Sequence, residues 1–161
     1  MNESILTCRG DVEVTIEYLN KASEKIEFKN TILRKGRMAL AASLANSFGG
    51  DFDYFISRMV FGNGGTSNAS GLGVPRQVSP ERNGLFGSAV VSKPVIANID
   101  SANPTQVVFT SVVSFQEGNG SVLNEMALQM RTGDFYSMAT FPGITKTNQM
   151  QITWNWRLSF I

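Results

Sequence analysis

The last twelve residues of the chain alternate between apolar and polar side chains. The apolar set is Met150, Ile152, Trp154, Trp156, Leu158 and Phe160. A period of two is the pattern of a strand with one buried face and one solvated face. The alternation therefore assigns both tryptophans to the core rather than to an exposed aromatic platform. Because the sequence ends directly after this strand, we expect a compact β module that the strand closes, without tail, anchor or appended domain.

Similar short apolar segments predict strands along most of the chain. Residues 12–19 and 25–29 form a predicted hairpin with a turn at 20–23. The other candidate strands are 54–61, 90–91, 95–99, 106–115, 122–130, 135–141 and 150–160. Polar turns separate them, among them 103–104, 118–120, 132–134 and the Pro-Gly pair at 142–143. We predict a mainly β fold, an antiparallel β-sandwich of jelly-roll-like type, in a single domain over residues 1–161.

One segment has the helical period instead. Its apolar residues recur at spacings of three and four, and its centre, residues 39–45, is small and helix-favouring. Asn30 or Thr31 can cap its start, and the glycines at 49–50 can end it. The spacing predicts one α-helix near residues 32–48.

Composition excludes several classes of protein. The chain has 161 residues, no histidine, one cysteine (Cys8) and a net charge of +1. An intramolecular disulfide, the usual zinc sites and nucleophile systems that use a histidine base are excluded on this count. No signal peptide or membrane-spanning apolar run is present in the sequence. We therefore expect no enzymatic activity, no cofactor, no metal and no membrane, and a reduced thiol at Cys8.

Residues 62–87 are rich in Gly, Ser and Asn and contain few apolar side chains. An irregular stretch of this length inside a small domain is either functional or ordered by a partner. Its beginning, residues 62–66 (GNGGT), lacks the lysine and the following helix that a phosphate-binding loop requires. We predict that residues 62–87 are an extended, flexible loop or arm that contacts other molecules.

The densest basic cluster of the chain lies at the start of the predicted helix. Its members are Lys29, Arg34, Lys35 and Arg37. The helix macrodipole disfavours cations at this end, so other charges must offset them. The candidates are acidic residues such as Glu24 and Glu27, a neighbouring subunit, or nucleic acid. Nucleic acid would need a broader basic surface, so a subunit-contacting or solvated face is the better interpretation.

Four carboxylates are the first to test as a catalytic pair. They are Asp51, Asp53, Glu125 and Asp134. Nothing in their spacing fixes two of them together. In residues 122–130 the even positions are predicted to be buried, which places Glu125 on the opposite face. We expect this carboxylate to meet an arginine across a strand rather than to serve glycoside hydrolysis or metal binding.

Three segments, in this order, resemble a recurring pattern in virion proteins of tailed bacteriophages. The first comprises residues 30–33 (NTIL), the small-residue helix and residues 59–66 (MVFGNGGT). The second joins residues 74–75 (VP) to 81–86 (ERNGLF). The third comprises residues 123–128 (LNEMAL), 133–142 (GDFYSMATFP), 144–147 (ITKT) and 152–154 (ITW). The order and spacing of these motifs, over residues 30–161, carry the resemblance.

The resemblance implies a non-enzymatic structural component of a phage particle, made in the host cytoplasm and located in the virion. It leaves the position open among neck or collar, tail, and baseplate or fibre mount, with a capsid decoration (cement) protein as the alternative. The implied partners are other copies of the chain and other virion proteins, with no small-molecule substrate. A carbohydrate-binding module that uses Trp154 or Trp156 together with loop aromatics such as Phe86 is the hypothesis of another class.

In either virion role, we expect subunit contacts on the predicted arm and on the basic helix. The candidate contact residues are Arg34, Lys35, Arg37, Asn63, Gly64, Gly65, Thr66, Arg76, Arg82 and Phe86.

Overall fold

The computed structural model describes residues 7–45, 54–68 and 72–161. Its strands are β1 (Cys8–Tyr18), β2 (Glu24–Lys29), β3 (Thr31–Ile32), β4 (Ile56–Gly62), β5 (Ala89–Pro94), β6 (Ile96–Asn98), β7 (Gln106–Val113), β8 (Val122–Met130), β9 (Phe135–Thr145) and β10 (Met150–Phe160). The helix in the described part of the chain, α1, spans Arg34–Ala45. The predicted mainly β sandwich with one helix is confirmed.

The strands form two antiparallel five-stranded sheets. Sheet A has the order β2-β1-β10-β7-β6, and sheet B has the order β3-β9-β8-β4-β5. Strand β10 lies at the centre of sheet A, between β1 and β7, and is paired along its length with β1. A central strand of a sheet with one covered face is expected to alternate strictly, which is the pattern read from the sequence.

The inner faces of the two sheets share one hydrophobic core. Trp154 and Trp156 are both fully buried in it, which confirms their assignment to the core. The ring of Trp154 lies 4.7 Å from the ring of Phe61 and 5.3 Å from that of Phe141, measured between centroids. Tilted aromatic pairs at this separation add to the stabilisation that burial provides. The two indoles are therefore not available as a surface platform for sugar.

Sheet B is covered on its outer face as well. A second cluster of buried side chains, Leu33, Val78, Ala127 and Met138, lies on that side. Leu33 precedes α1, and Val78 belongs to the long segment between β4 and β5. Strand β8 is consequently buried at almost every position, and its burial does not alternate as predicted. Strands covered on both faces lose the period of two, because each side chain meets another layer.

The predicted turn at Pro142–Gly143 is wrong, because both residues lie inside β9. The register between β8 and β9 shifts between Leu123 and Glu125, so the proline falls at an irregularity of the ladder. A bulge is one of the few sites in a sheet where the missing N–H of proline costs little. The predicted turns at 118–120 and 132–134 are confirmed, with Gly118, Gly120 and Gly133 at positive φ.

The helix begins later than predicted. Thr31 lies in β3, where it pairs with Met138 of β9, and it does not cap α1. The N–H of Arg34, at the first position of the helix, donates instead to the carbonyl oxygen of Pro80 at 2.7 Å. A carbonyl from a distant segment thus satisfies a donor that the helix leaves open. The predicted end, at residues 46–50, lies outside the described residues.

Candidate functional site

Glu125 in β8 fixes the segment between β4 and β5 through three main-chain hydrogen bonds. Its side chain has no solvent exposure. Oε1 accepts from the N–H of Gly64 at 2.8 Å and of Gly87 at 2.9 Å, and Oε2 accepts from the N–H of Phe86 at 2.7 Å. A carboxylate buried in this way is stabilised by donors that converge on it. The prediction that Glu125 meets an arginine is therefore wrong, because main-chain donors occupy both of its oxygens.

The preceding residue, Asn124, holds the same segment one residue further on. Its Oδ1 accepts from the N–H of Gly65 at 2.7 Å, and its Nδ2 donates to the hydroxyl of Thr66 at 3.1 Å. Consecutive residues of a regular strand point to opposite faces, but here the register shifts between Leu123 and Glu125. The irregularity accounts for two neighbouring polar side chains that reach one loop.

The glycines of this loop are required by close approach. A Cβ added to Gly65 would lie 2.1 Å from the carbonyl oxygen of Asn124, and one added to Gly64 would lie 2.2 Å from the nitrogen of Gly87. Main-chain atoms cannot yield at such distances, so any larger residue would displace the loop from β8. The N–H groups of both glycines already donate within the chain, which disfavours their use in binding phosphate.

Residues 62–68 and 72–87 together form what we call the loop cover, because they lie on the outer face of sheet B. Apart from Gly62, the last residue of β4, they lack regular helix or strand, as predicted. Bonds from several of their polar groups to the body of the same chain argue against the predicted extended, flexible arm. Besides the bonds to Glu125 and Asn124, the hydroxyl of Thr140 donates to the carbonyl oxygen of Arg76 at 2.6 Å. The segment is thus fixed by its own chain.

Two arginines of the loop cover are bonded to its main chain and lie near one aromatic ring. Nε of Arg76 donates to the carbonyl oxygens of Gly64 and Thr66, each at 3.0 Å. Arg82 donates to two carbonyl oxygens further along the chain, those of Gly84 at 3.0 Å and Leu85 at 2.9 Å. The guanidinium carbons of Arg82 and Arg76 lie 3.6 Å and 5.6 Å from the ring centroid of Phe86. These contacts are of the cation–π type.

The remaining predicted contact residue of this segment, Asn63, is also bonded internally. Its Oδ1 accepts from the N–H of Ser88 at 3.0 Å. The structure therefore brings seven of the candidates together in the loop cover. They are Asn63, Gly64, Gly65, Thr66, Arg76, Arg82 and Phe86.

The basic cluster at the helix start is divided among different partners. Arg34 lies 3.7 Å from Glu81 of the loop cover, and Lys35 lies 3.8 Å from Asp134. The expectation that Glu24 and Glu27 offset these charges is wrong for Arg34 and Lys35. Both pairs are exposed, and exposed pairs contribute about 0–1 kcal/mol each.

Arg37 has different neighbours from Arg34 and Lys35. It borders a surface depression of about 510 Å³ together with Arg9 and Lys29. The ammonium group of Lys29 is paired with the carboxylate of Asp11. The residues of the predicted helical contact surface thus have different neighbours, an ion pair for Arg34 and for Lys35 and the surface depression for Arg37.

A second polar cluster, which was not predicted, lies around the turn between β7 and β8. The carboxylate of Glu117 accepts from Nζ of Lys93 at 2.6 Å and from the N–H of Ser114 at 2.9 Å. These hydrogen bonds hold the pKa of Glu117 at about 2, well below its ordinary value. Nearby, the fully buried Lys146 donates to the Asn119 side chain at 3.0 Å, and burial lowers the pKa of this lysine. The Gly-Asn-Gly turn was the only signal of this cluster in the sequence.

The depressed pKa of Glu117 predicts a specific pH dependence. Stability from its ionised form is fully present above the ordinary pKa of 4.5 and is lost as the pH falls to about 2. We expect Glu117→Gln to lower the free energy of unfolding above that range by at most about 1 kcal/mol, because the pair is partly exposed. Urea denaturation of both proteins across this range measures the difference, which should vanish at the acid end. A difference that does not change with pH would contradict this account.

Within residues 7–45, 54–68 and 72–161, no three His, Cys, Asp or Glu side chains are grouped so that they could hold a metal ion. Asp51 and Asp53 lie outside these ranges, whereas Glu125 and Asp134 have the separate partners given above. None of the described helical residues forms a helix long and apolar enough to cross a membrane. Comparison with known protein families, with curated proteins and with solved structures found no match for this chain.

Proposed function

We propose that this chain is a non-enzymatic structural subunit of a tailed phage particle, which assembles by packing its loop cover against other copies or other virion proteins. The resemblance of residues 30–161 to virion proteins supports the biological setting. The observation that carries the contact surface is the fixation of the loop cover by Glu125 and Asn124. A loop already held in one conformation binds without the entropic cost of ordering it.

The chemistry of the exposed side of the loop cover supports the same role. Val74 and Leu72 are 71% and 52% exposed, so large apolar side chains face solvent there. The stacked Arg82 and Phe86 belong to the same segment. Arginine and aromatic residues are enriched in protein interfaces and among the residues that dominate their energetics. Apolar and stacked cationic groups on one fixed segment favour a protein partner over a small molecule.

The particle offers two kinds of position for such a subunit. A place at the neck, tail or baseplate is the first proposal, and capsid decoration is the alternative. Fluorescently labelled protein mixed separately with purified capsids and purified tails would distinguish them. Binding to tails alone would exclude decoration, and binding to capsids alone would exclude the first proposal.

The proposal is tested by incorporation into particles with a matched pair of variants. We expect the wild-type chain in particles purified from a phage that encodes it, detected by mass spectrometry. Val74→Asp should be incorporated about tenfold less, since a charge in a buried contact costs more than 1 kcal/mol. Leu19→Asp is the control, because Leu19 is 63% exposed in the β1–β2 turn, away from the loop cover.

The possible results separate the parts of the proposal. Absence of the wild-type chain from purified particles would overturn the virion role. Normal incorporation of both variants would overturn the loop cover as the contact surface. Equal loss for both variants would show that the effect is not specific to this surface, and would also overturn it.

A further inference from the structure

The sequence contains three Asn-Gly pairs, at residues 63–64, 83–84 and 119–120. In such a pair the glycine nitrogen can attack the preceding side-chain amide, because glycine offers no steric hindrance. We propose that Asn83 is a site of spontaneous succinimide formation and deamidation, whereas the fold protects the other two pairs through hydrogen bonds. This inference concerns chemical modification of the chain and stands independently of its role in a particle.

The reaction needs both the glycine nitrogen and the asparagine side chain to be free. The nitrogen of Gly84 loses its proton to water and forms a bond to the side-chain carbon of Asn83. The bond from that carbon to Nδ2 breaks, and the leaving nitrogen takes up a proton to depart as ammonia. Water then opens the five-membered ring at either carbonyl, which yields aspartate or isoaspartate. The net change is the addition of water and the loss of ammonia.

At the first pair, the glycine nitrogen is engaged by the buried carboxylate. The N–H of Gly64 donates to Oε1 of Glu125 at 2.8 Å. The side chain of Asn63 is also held, because its Oδ1 accepts from the N–H of Ser88 at 3.0 Å. Ring closure here requires that both bonds break, and the bond to the carboxylate is of the stronger, charge-assisted kind.

The third pair is held by the cluster around the buried lysine. The N–H of Gly120 donates to the carbonyl oxygen of Lys146 at 2.9 Å. The side chain of Asn119 accepts from Nζ of the same lysine at 3.0 Å and donates to the carbonyl oxygen of Phe115 at 2.9 Å. Three hydrogen bonds therefore restrain this pair.

The middle pair has no such restraint. Asn83 is exposed, and neither its side-chain amide nor the N–H of Gly84 makes a hydrogen bond to any residue that the structure describes. A Cβ built on Gly84 would meet nothing within 4 Å, so the space that the ring needs is open. The constraint on this stretch is Arg82, which binds the carbonyl oxygen of Gly84 and leaves its nitrogen free.

Modification at this position would alter the exposed side of the loop cover. It adds a negative charge directly beside Arg82. The isoaspartate product also lengthens the main chain by one carbon before the carbonyl groups of Gly84 and Leu85, to which the guanidinium donates. We expect the stacking of Arg82 on Phe86 to be disturbed. If the loop cover is the contact surface proposed above, aged protein should assemble less well than fresh protein.

Peptide mass mapping after incubation of the folded protein in mildly alkaline buffer tests the inference. We expect Asn83 to be modified at least about tenfold faster than Asn63 or Asn119, since each protecting bond must break first. Incubation in concentrated urea is the control, because the three rates should converge once the fold is lost. Comparable rates at the three sites in the folded protein, or slower modification at Asn83, would overturn the proposal.

The protective role of Glu125 can be tested separately. In Glu125→Ala, the rate at Asn63 should rise by at least about tenfold, because both side-chain oxygens that accept from the loop are removed. The rate at Asn119 should stay unchanged, which also reports that the rest of the fold persists. Unchanged protection at Asn63 would contradict the assigned mechanism. If this variant does not fold, the comparison of native protein with urea still decides the inference.

Discussion

Glu125→Gln is expected to lower the free energy of unfolding by about 3 kcal/mol. The two side chains have nearly the same shape, but the amide nitrogen of glutamine must replace one of the carboxylate oxygens. That nitrogen would then face the N–H of Phe86, or those of Gly64 and Gly87, so donor meets donor in a buried site. A buried donor without an acceptor carries its full desolvation cost, and the charge-assisted bonds that remain become weaker.

Urea denaturation measures the loss, and hydrogen exchange locates it. The amides of Gly64, Phe86 and Gly87 should exchange faster in the variant, whereas those of β10 should stay protected near the global limit. Glu81→Gln is the matched control, because it makes the same chemical change in an exposed pair with Arg34. The control should change the free energy of unfolding by less than about 1 kcal/mol. Equal effects of the two substitutions would show that the loop cover does not depend on the buried carboxylate.

The structure also explains how far the sequence could predict this site. The alternation of β10 located a core strand and both buried tryptophans, because that strand has one covered face. Strand β8 does not alternate in this way, because both of its faces are covered. Its polar pair Asn124–Glu125 interrupts an otherwise apolar run, and both residues are fully buried. Buried polar groups require partners, so the pair itself was the available sign of a nearby loop.

The partners of that pair could not be found from local patterns. Gly64 and Glu125 are 61 residues apart in the sequence, and Phe86 is 39 residues from the same carboxylate. The Gly-rich composition of the loop favours flexibility when it is considered alone. In the structure the same glycines let the main chain approach β8 closely. A Gly-rich composition shows only that side chains are absent. The fold determines whether the glycines make the loop flexible or let its main chain pack closely on another strand.

The start of α1 illustrates the same limit. Local rules favour Asn30 or Thr31 as the cap, since their side chains can accept the first helical N–H groups. The acceptor for the N–H of Arg34 is the carbonyl oxygen of Pro80, which lies in the loop cover. Tertiary contact therefore decides where the helix begins, and it ties the helix to the surface proposed for assembly.

Gly36→Ala separates helix propensity from helix packing most clearly. Gly36 lies within α1, where replacing glycine with alanine in an isolated helix stabilises by about 1 kcal/mol. In the structure, the added Cβ would lie 2.4 Å from the carbonyl oxygen of Tyr136 and 3.0 Å from its ring. The carbonyl belongs to β9 and accepts from the N–H of Leu33 at 3.0 Å, so it cannot move without breaking that bond. We expect a net destabilisation of about 2–3 kcal/mol, since overpacking outweighs the gain in propensity.

Urea denaturation of the Gly36→Ala and Gly84→Ala proteins shows whether overpacking or the gain in helix propensity is the larger effect. The control makes the same substitution at a position where the new methyl group meets nothing within 4 Å. It should change the free energy of unfolding by no more than about 0.5 kcal/mol. A Gly36→Ala protein that is more stable than wild type would mean that α1 is not packed on β9 through this glycine. Because the helix start is bonded to Pro80, the destabilised variant should also show faster amide exchange at Arg34.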